Sequence, residues 1–338
     1  MLTPRENLLE TIHGGNPERY VNQFEPFKIL WGTPQDIRYT DVVYGGNPVK
    51  NCWGVTVAFP EGTPGPFPVH DEEHLVLKDI TRWREYVEMP SVDFTEEEWK
   101  PFIAEAESVD REQFFVTQAL WPGLFENCHN LMSMEECMVN LYEEPEAMHE
   151  LIAYLTKYEL KLADQICAYI KPDAVYRHDD WGSQKSTFMS KSMFREFFLE
   201  PTKKIYQYYR DHGVKVIIHH SDSYGETLVP EMIEMGIDIW QGAMSTNNLP
   251  EIAENYKGHL TIMGGIDNGR VDRADWTKET VSSEVRRICQ WVNSKYFIPN
   301  TTFGGDASTY EGVYQTVSEA ICKINYERAE GQEGVYEN

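Results

Sequence analysis

The chain has 338 residues, 41% hydrophobic and 13% aromatic, with 55 acidic against 30 basic side chains and a formal charge of −25. Such a charge repels phosphate backbones and anionic lipid, which argues against nucleic acid and membrane surfaces as partners. No apolar run approaches the roughly 18 residues of a membrane span, and Met1-Leu-Thr-Pro-Arg-Glu-Asn lacks the basic and apolar stretches of a secretory signal, so a cytoplasmic location is expected.

α/β barrels run past about 250 residues as one unit. One domain over residues 1–338 is therefore expected, with 1–110 as an N-terminal elaboration carrying the first barrel elements. Residues 3–13 read as a helix, capped by Thr3 with Pro4 at the first position and Glu6 three residues on, and stopped by Gly14-Gly15. From Val43 to Pro68 glycine, proline and aromatics (Tyr44, Trp53, Phe59, Phe67) alternate, which predicts loops and short strands forming a lid or pocket wall. The six cysteines (Cys52, Cys128, Cys137, Cys167, Cys289, Cys322) show no C-x-x-C pair, so neither a disulfide framework nor a thiolate zinc finger is expected.

The second half repeats helix then apolar strand. A helix over Phe194–His212 precedes the strand Val214–His219; a helix over Leu228–Met235 precedes Ile237–Trp240. Gly258 precedes His259–Met263, Asn293 precedes Tyr296–Ile298, and a last helix runs from Tyr310 to Arg328. Repeated units of this kind make parallel strands and close into a doubly wound sheet or a barrel. No G-x-G-x-x-G follows an early strand, which counts against dinucleotide binding.

In either architecture functional groups gather where strands end. Four polar segments stand there: Tyr176-Arg-His-Asp-Asp-Trp-Gly182, His219-His-Ser-Asp-Ser-Tyr224, Gly264-Gly-Ile-Asp-Asn268 and Asn300-Thr-Thr-Phe-Gly-Gly-Asp306. Alternation places His220 and Asp222 on one face, as metal ligands or an acid/base pair, and His219 elsewhere; the plainer role is capping of the next helix. Asp179 and Asp180 point to opposite sides, and Asp180 is assigned to the mouth. Gly264-Gly265 allows a close backbone approach, and Asp267 is a further candidate carboxylate. Trp31, Trp53, Trp121 and Trp181 are candidate walls of an apolar substrate pocket, although large aromatics more often belong to the core.

These segments resemble, in order and spacing, the uroporphyrinogen decarboxylase superfamily. Its blocks are matched by Thr3-Pro-Arg-Glu-Asn-Leu-Leu-Glu-Thr-Ile-His-Gly14, Asp179-Asp-Trp-Gly, Phe194-Arg-Glu-Phe-Phe-Leu-Glu-Pro201, His220-Ser-Asp and Gly264-Gly-Ile-Asp267. The resemblance implies a (β/α)8 barrel with its site at the C-terminal ends of the strands. One branch decarboxylates uroporphyrinogen without a cofactor and holds its carboxylates on an arginine-rich N-terminal segment. Here only Arg5, Arg19 and Arg38 precede Asp71, which disfavours a polyanionic substrate.

The other branch consists of corrinoid-dependent methyltransferases. Its thiol-using members hold zinc on a His-x-Cys pair and a later Cys, whereas this chain has His220-Ser221-Asp222 and no cysteine in Asn300–Gly305. The resemblance then implies the aryl-ether demethylating type. Catalysis would rest on Asp180, His220, Asp222 and Asp267, with zinc on His220, Asp222 and a third ligand among Asp180, His178 and Asp267. The methyl donor would be a small methylated compound, such as a methoxylated aromatic, and the acceptor a corrinoid carried by a partner protein. The competing readings are a cofactor-free decarboxylase of a smaller acid and a non-catalytic barrel.

Overall fold

The computed structural model describes residues 1–39, 41–63, 65–302 and 309–333. The opening helix, Pro4–Ile12, has the expected reciprocal cap: Thr3 Oγ1 accepts the Glu6 N–H at 3.2 Å, and Glu6 Oε2 accepts the Thr3 N–H at 2.9 Å. Ten strands follow among the described residues: β1 (Phe27–Leu30), β2 (Val49–Lys50), β3 (Thr56–Ala58), β4 (Phe67–Pro68), β5 (Phe115–Leu120), β6 (Ala174–His178), β7 (Val216–His220), β8 (Ile239–Ala243), β9 (Thr261–Ile266) and β10 (Phe297–Thr301). The Gly/Pro-rich stretch forms the antiparallel sheet β2-β3-β4.

The other seven strands make one parallel sheet in the order β1-β5-β6-β7-β8-β9-β10. Period-two alternation gives it two faces. Phe27, Phe115, Ala174, Val216, Ile218, Ile239, Met263 and Ile298 turn inward into a single buried cluster with Leu8, Val21, Ala119 and Tyr176, against which Leu9, Ile12, Phe24 and Ile29 pack. The outward residues pack with the helices in a second, larger cluster. A doubly wound sheet covers both faces with helices, whereas a sheet that covers one face with itself is curled into a barrel. Leu8 brings the helix Pro4–Ile12 to this interior as a plug. The α/β barrel is therefore the fold, with seven strands hydrogen-bonded among the described residues where eight were expected. No ladder joins β10 to β1 there; instead Asn300 Nδ2 donates to Gln23 Oε1 at 3.4 Å across the seam.

The later strands begin one to two residues beyond the positions read from the sequence and run further into the polar segments. His178, His219, His220, Gly264, Gly265 and Asn300 thus lie within strands rather than in the loops after them. Polarity had suggested a loop, but at the C-terminal end of a barrel strand it marks side chains turned into the mouth. The helix expected over Phe194–His212 is interrupted by a π-turn at Arg195–Leu199 before Glu200–Asp211. Pro201 lacks the N–H that a regular turn would need there. No helix is long and apolar enough to cross a membrane among the described residues.

Candidate metal centre

Three inward residues lie in one row because their strands are in register. His178 of β6 pairs with His220 of β7, and His220 with Gln241 of β8. Alternation that places Ala174 and Tyr176, or Val216 and Ile218, in the barrel floor carries His178 and His220 to its rim. The two imidazoles stack at 4.4 Å with 21° between their planes. Asp180 completes the group: His178, Asp180 and His220 each offer a ligand-type atom within 4.8 Å of the others.

Each histidine is anchored through Nδ1. Glu126 Oε2 meets His178 Nδ1 at 2.9 Å. Burial disfavours a charged His178, but the Glu126 carboxylate outweighs it and raises the ring to about 10, while burial of Glu126 is likewise outweighed by His178, which holds its carboxyl well below the usual carboxylate range. Gln241 Oε1 meets His220 Nδ1. Burial, aided by the neighbouring His178 charge, pushes His220 down to about 4, so it is the neutral member of the pair.

Glu126 is in place because Asp179 caps its helix, Leu124–Met132: Asp179 Oδ1 accepts the Glu126 N–H at 3.0 Å and Oδ2 the Phe125 N–H at 3.3 Å. Glycine is required at 123, since a Cβ there would lie 2.2 Å from the Asp179 side chain. Asp179 is thus structural and Asp180 faces the mouth. His219 turns outward, with Nδ1 at 2.7 Å from Tyr206 Oη and Nε2 at 3.1 Å from Asp179 O.

Asp222 is beside the three-residue group but outside it. Its N–H donates to Asp180 Oδ1 at 3.1 Å. Burial first, then the Asp180 charge, push Asp222 up to about 7, and burial raises Asp180 too. Of the residues expected as ligands, the geometry brings together His220 with Asp180 and His178, and leaves Asp222 at the edge of the group. Asp222 is displaced because its carboxyl group is engaged with that of Asp180. Asp267 is not brought in: it sits at the start of the short helix Asn268–Val271, with its carboxylate 3.5 Å from Arg270 Nε. Gly264 serves packing, because a Cβ there would lie 2.4 Å from Ala243 O. Of the segment Asn300–Asp306, residues 303–306 lie outside the described residues.

The four tryptophans divide. Trp31 and Trp121 follow β1 and β5 and are 58% and 50% exposed; their rings meet at 5.9 Å, and Trp31 reaches Tyr176 at 6.4 Å, which in turn lies 5.8 Å from His220. Trp53 and Trp181 are 5% and 1% exposed, against Tyr158 at 4.9 Å and His219 at 3.8 Å respectively. Both belong to the buried core rather than to a substrate pocket: Trp181 stacks on the outward-facing His219, and Trp53 packs on Tyr158 of the helix Pro145–Tyr169. A cavity of about 550 Å³ lined by Lys50, Cys52, Trp53 and His74 includes neither histidine of the centre.

Sequence reasoning missed Glu126 and Gln241, and named Tyr176 and Asn300 only as the first residues of polar strand-end segments, without a role. For Gln241 and Asn300 a signal existed, since each is a polar residue two places after an inward isoleucine (Ile239, Ile298) in an apolar strand. Glu126 carried none, being one of many glutamates on a helix.

No curated protein sequence matches the chain. Among solved structures it is similar to a methyltransferase from Methanosarcina mazei, at 12% identity with a TM-score of 0.66, covering 96% of this chain and 99% of that one. It also aligns with a putative vitamin-B12 independent methionine synthase from Listeria monocytogenes, at 14% identity, TM-score 0.39, with 69% and 68% covered. The first likeness is one of fold, and the second is too distant to weigh. Residues 52–321 match the uroporphyrinogen decarboxylase (URO-D) family; with most of the chain matched and the fold agreeing, this protein belongs to that family.

Proposed function

We propose that the protein is a methyltransferase that takes a methyl group from a small methylated substrate, a methoxylated aromatic, and delivers it to a corrinoid carried by a partner protein, with zinc on His178, Asp180 and His220. The observation that carries this reading is the convergence of two imidazoles and a carboxylate within 4.8 Å at the barrel rim. Imidazole and carboxylate donors suit zinc, and three protein ligands leave a position open for substrate. Both rings have Nδ1 engaged by a second residue, the arrangement that orients histidine ligands. Bound there, zinc supplies Lewis acidity toward an ether oxygen.

The side chains of this chain do the rest. Trp31 and Trp121 offer exposed aromatic faces beside the centre, suited to a small ring. Asp222, made a weaker acid by its burial, keeps a proton on its carboxyl group that can pass to the departing phenolate oxygen. The methyl acceptor must approach from the open rim, since the reacting atoms have to come within bonding distance. The likeness to the Methanosarcina mazei methyltransferase supports the reading at the level of fold.

The test is zinc per chain in protein purified without chelators, for wild type and His220→Ala, followed by methylation of a corrinoid protein with methoxylated aromatics. Near-stoichiometric zinc that is lost in the variant, with methylated cobalt formed by the wild type, is expected. Absence of zinc in both proteins, none taken up on reloading, and no methylated cobalt would move the assignment to a cofactor-free decarboxylase.

A further inference from the structure

A chain of buried amides runs from the C-terminal helix, Val313–Glu333, to His220. Gln23 Nε2 donates to Tyr314 O at 3.2 Å and to Ser318 Oγ at 2.7 Å. Gln23 Oε1 accepts from Asn300 Nδ2 at 3.4 Å, and Asn300 Oδ1 accepts from Gln241 Nε2 at 2.9 Å. Gln241 Oε1 accepts from Tyr176 Oη at 2.8 Å and faces His220 Nδ1. Gln23, Asn300 and Gln241 are wholly buried, so no water competes for these groups.

The direction of the chain is set at its origin. A main-chain carbonyl only accepts, so the amide group that faces Tyr314 O must be the NH2 of Gln23. That leaves Gln23 Oε1 for Asn300, which must answer with its NH2, and the same logic passes through Asn300 to Gln241. A second anchor agrees, because Gln241 Nε2 also lies 3.5 Å and 3.4 Å from the carbonyl oxygens of Thr301 and Thr302. Gln241 thus has only an acceptor to show to His220, and Nδ1 of the ring must carry the hydrogen.

We infer that Gln241, oriented by Asn300 and Gln23, is a positioning residue that fixes the His220 tautomer with its hydrogen on Nδ1 and its lone pair on Nε2, the form a metal ligand needs. An unconstrained imidazole is free to take either tautomer. The inference rests on the metal-centre reading for its consequence, but the tautomer is a property of the metal-free chain.

The test uses full-length, metal-free protein with 15N-labelled histidine, reading each ring nitrogen by long-range 1H–15N correlation at neutral pH, then titrating with Co²⁺. His220→Asn identifies the signal. The expected result is Nδ1–H in the wild type, Nε2–H in Gln241→Leu, and Nδ1–H again in Gln241→Glu, which keeps the acceptor. Cobalt affinity should fall about ten- to hundredfold in Gln241→Leu, the usual cost of losing such a partner. Nε2–H in the wild type, a reading that needs no variant to fold, overturns the inference. So does Gln241→Leu with Nδ1–H retained or cobalt affinity unchanged. Failure of methyl transfer with the wild-type tautomer on Nδ1 counts against the proposed reaction alone.

Discussion

His178 and His220 are register partners whose rings stack at 4.4 Å, yet one is held by a carboxylate and the other by an amide. The carboxylate outweighs the burial of its ring and the amide does not, so the pair is one charged and one neutral ring in the metal-free protein. Glu126→Gln leaves the geometry and removes the charge. Zinc affinity, read by competition with a chromogenic chelator, is expected to fall about ten- to hundredfold; wild-type affinity in that variant would remove Glu126 from the centre.

The exposed and buried tryptophans should separate in one experiment. Trp181→Ala opens a cavity beside His219 and is expected to cost about 3–5 kcal/mol of stability. Trp31→Ala, on an exposed ring, should change stability by no more than about 0.5 kcal/mol while weakening binding of a methoxylated aromatic about two- to tenfold. Urea denaturation and ligand quenching of tryptophan fluorescence read the two effects. Equal losses of stability would mean that Trp31 is core as well.

The Asp179 cap gives a third contrast. Asp179→Ala frees two helix donors of Leu124–Met132 and should lower stability by about 1–2 kcal/mol. Gly123→Ala drives a methyl group into the same carboxylate and should cost at least as much. Thermal melts measure both, and an unchanged melting temperature in each would show that the helix needs no such cap.

Acid sensitivity follows from His129, in the same helix. Burial is the main cause that pushes its imidazole down from 6.5 to about 4. Between those values the unfolded chain binds a proton that the folded one refuses, so stability falls as pH drops through this window and is flat above it. His129→Gln should therefore lose less stability between pH 7.5 and pH 4.5 than the wild type, by on the order of 2 kcal/mol. Identical acid limbs in denaturation curves would contradict this.

Much of the barrel was legible from repeated helix and strand units, and alternation separated His220 from His219 and Asp180 from Asp179 without saying which aspartate faced the mouth. Asp222 and Asp267 were harder, because the sequence places a residue at a strand end but does not say which neighbour claims its carboxylate. Trp53 and Trp181 were misplaced for the same kind of reason: aromatic character is common to a pocket wall and a core, and only packing decides. Glu126 lies more than fifty residues before His178 on a separate helix, and no local spacing connects them.

The seam between β10 and β1 also changes how damage would travel. Gln23 bridges it, and Tyr20 and Asn325 exchange hydrogen bonds of 2.8 and 3.0 Å beside it. The terminal helix therefore works as a clasp on a split ring. Trimming that helix, or a protease cut within it, removes the carbonyl from which the amide chain takes its direction, and so reaches a histidine it never touches.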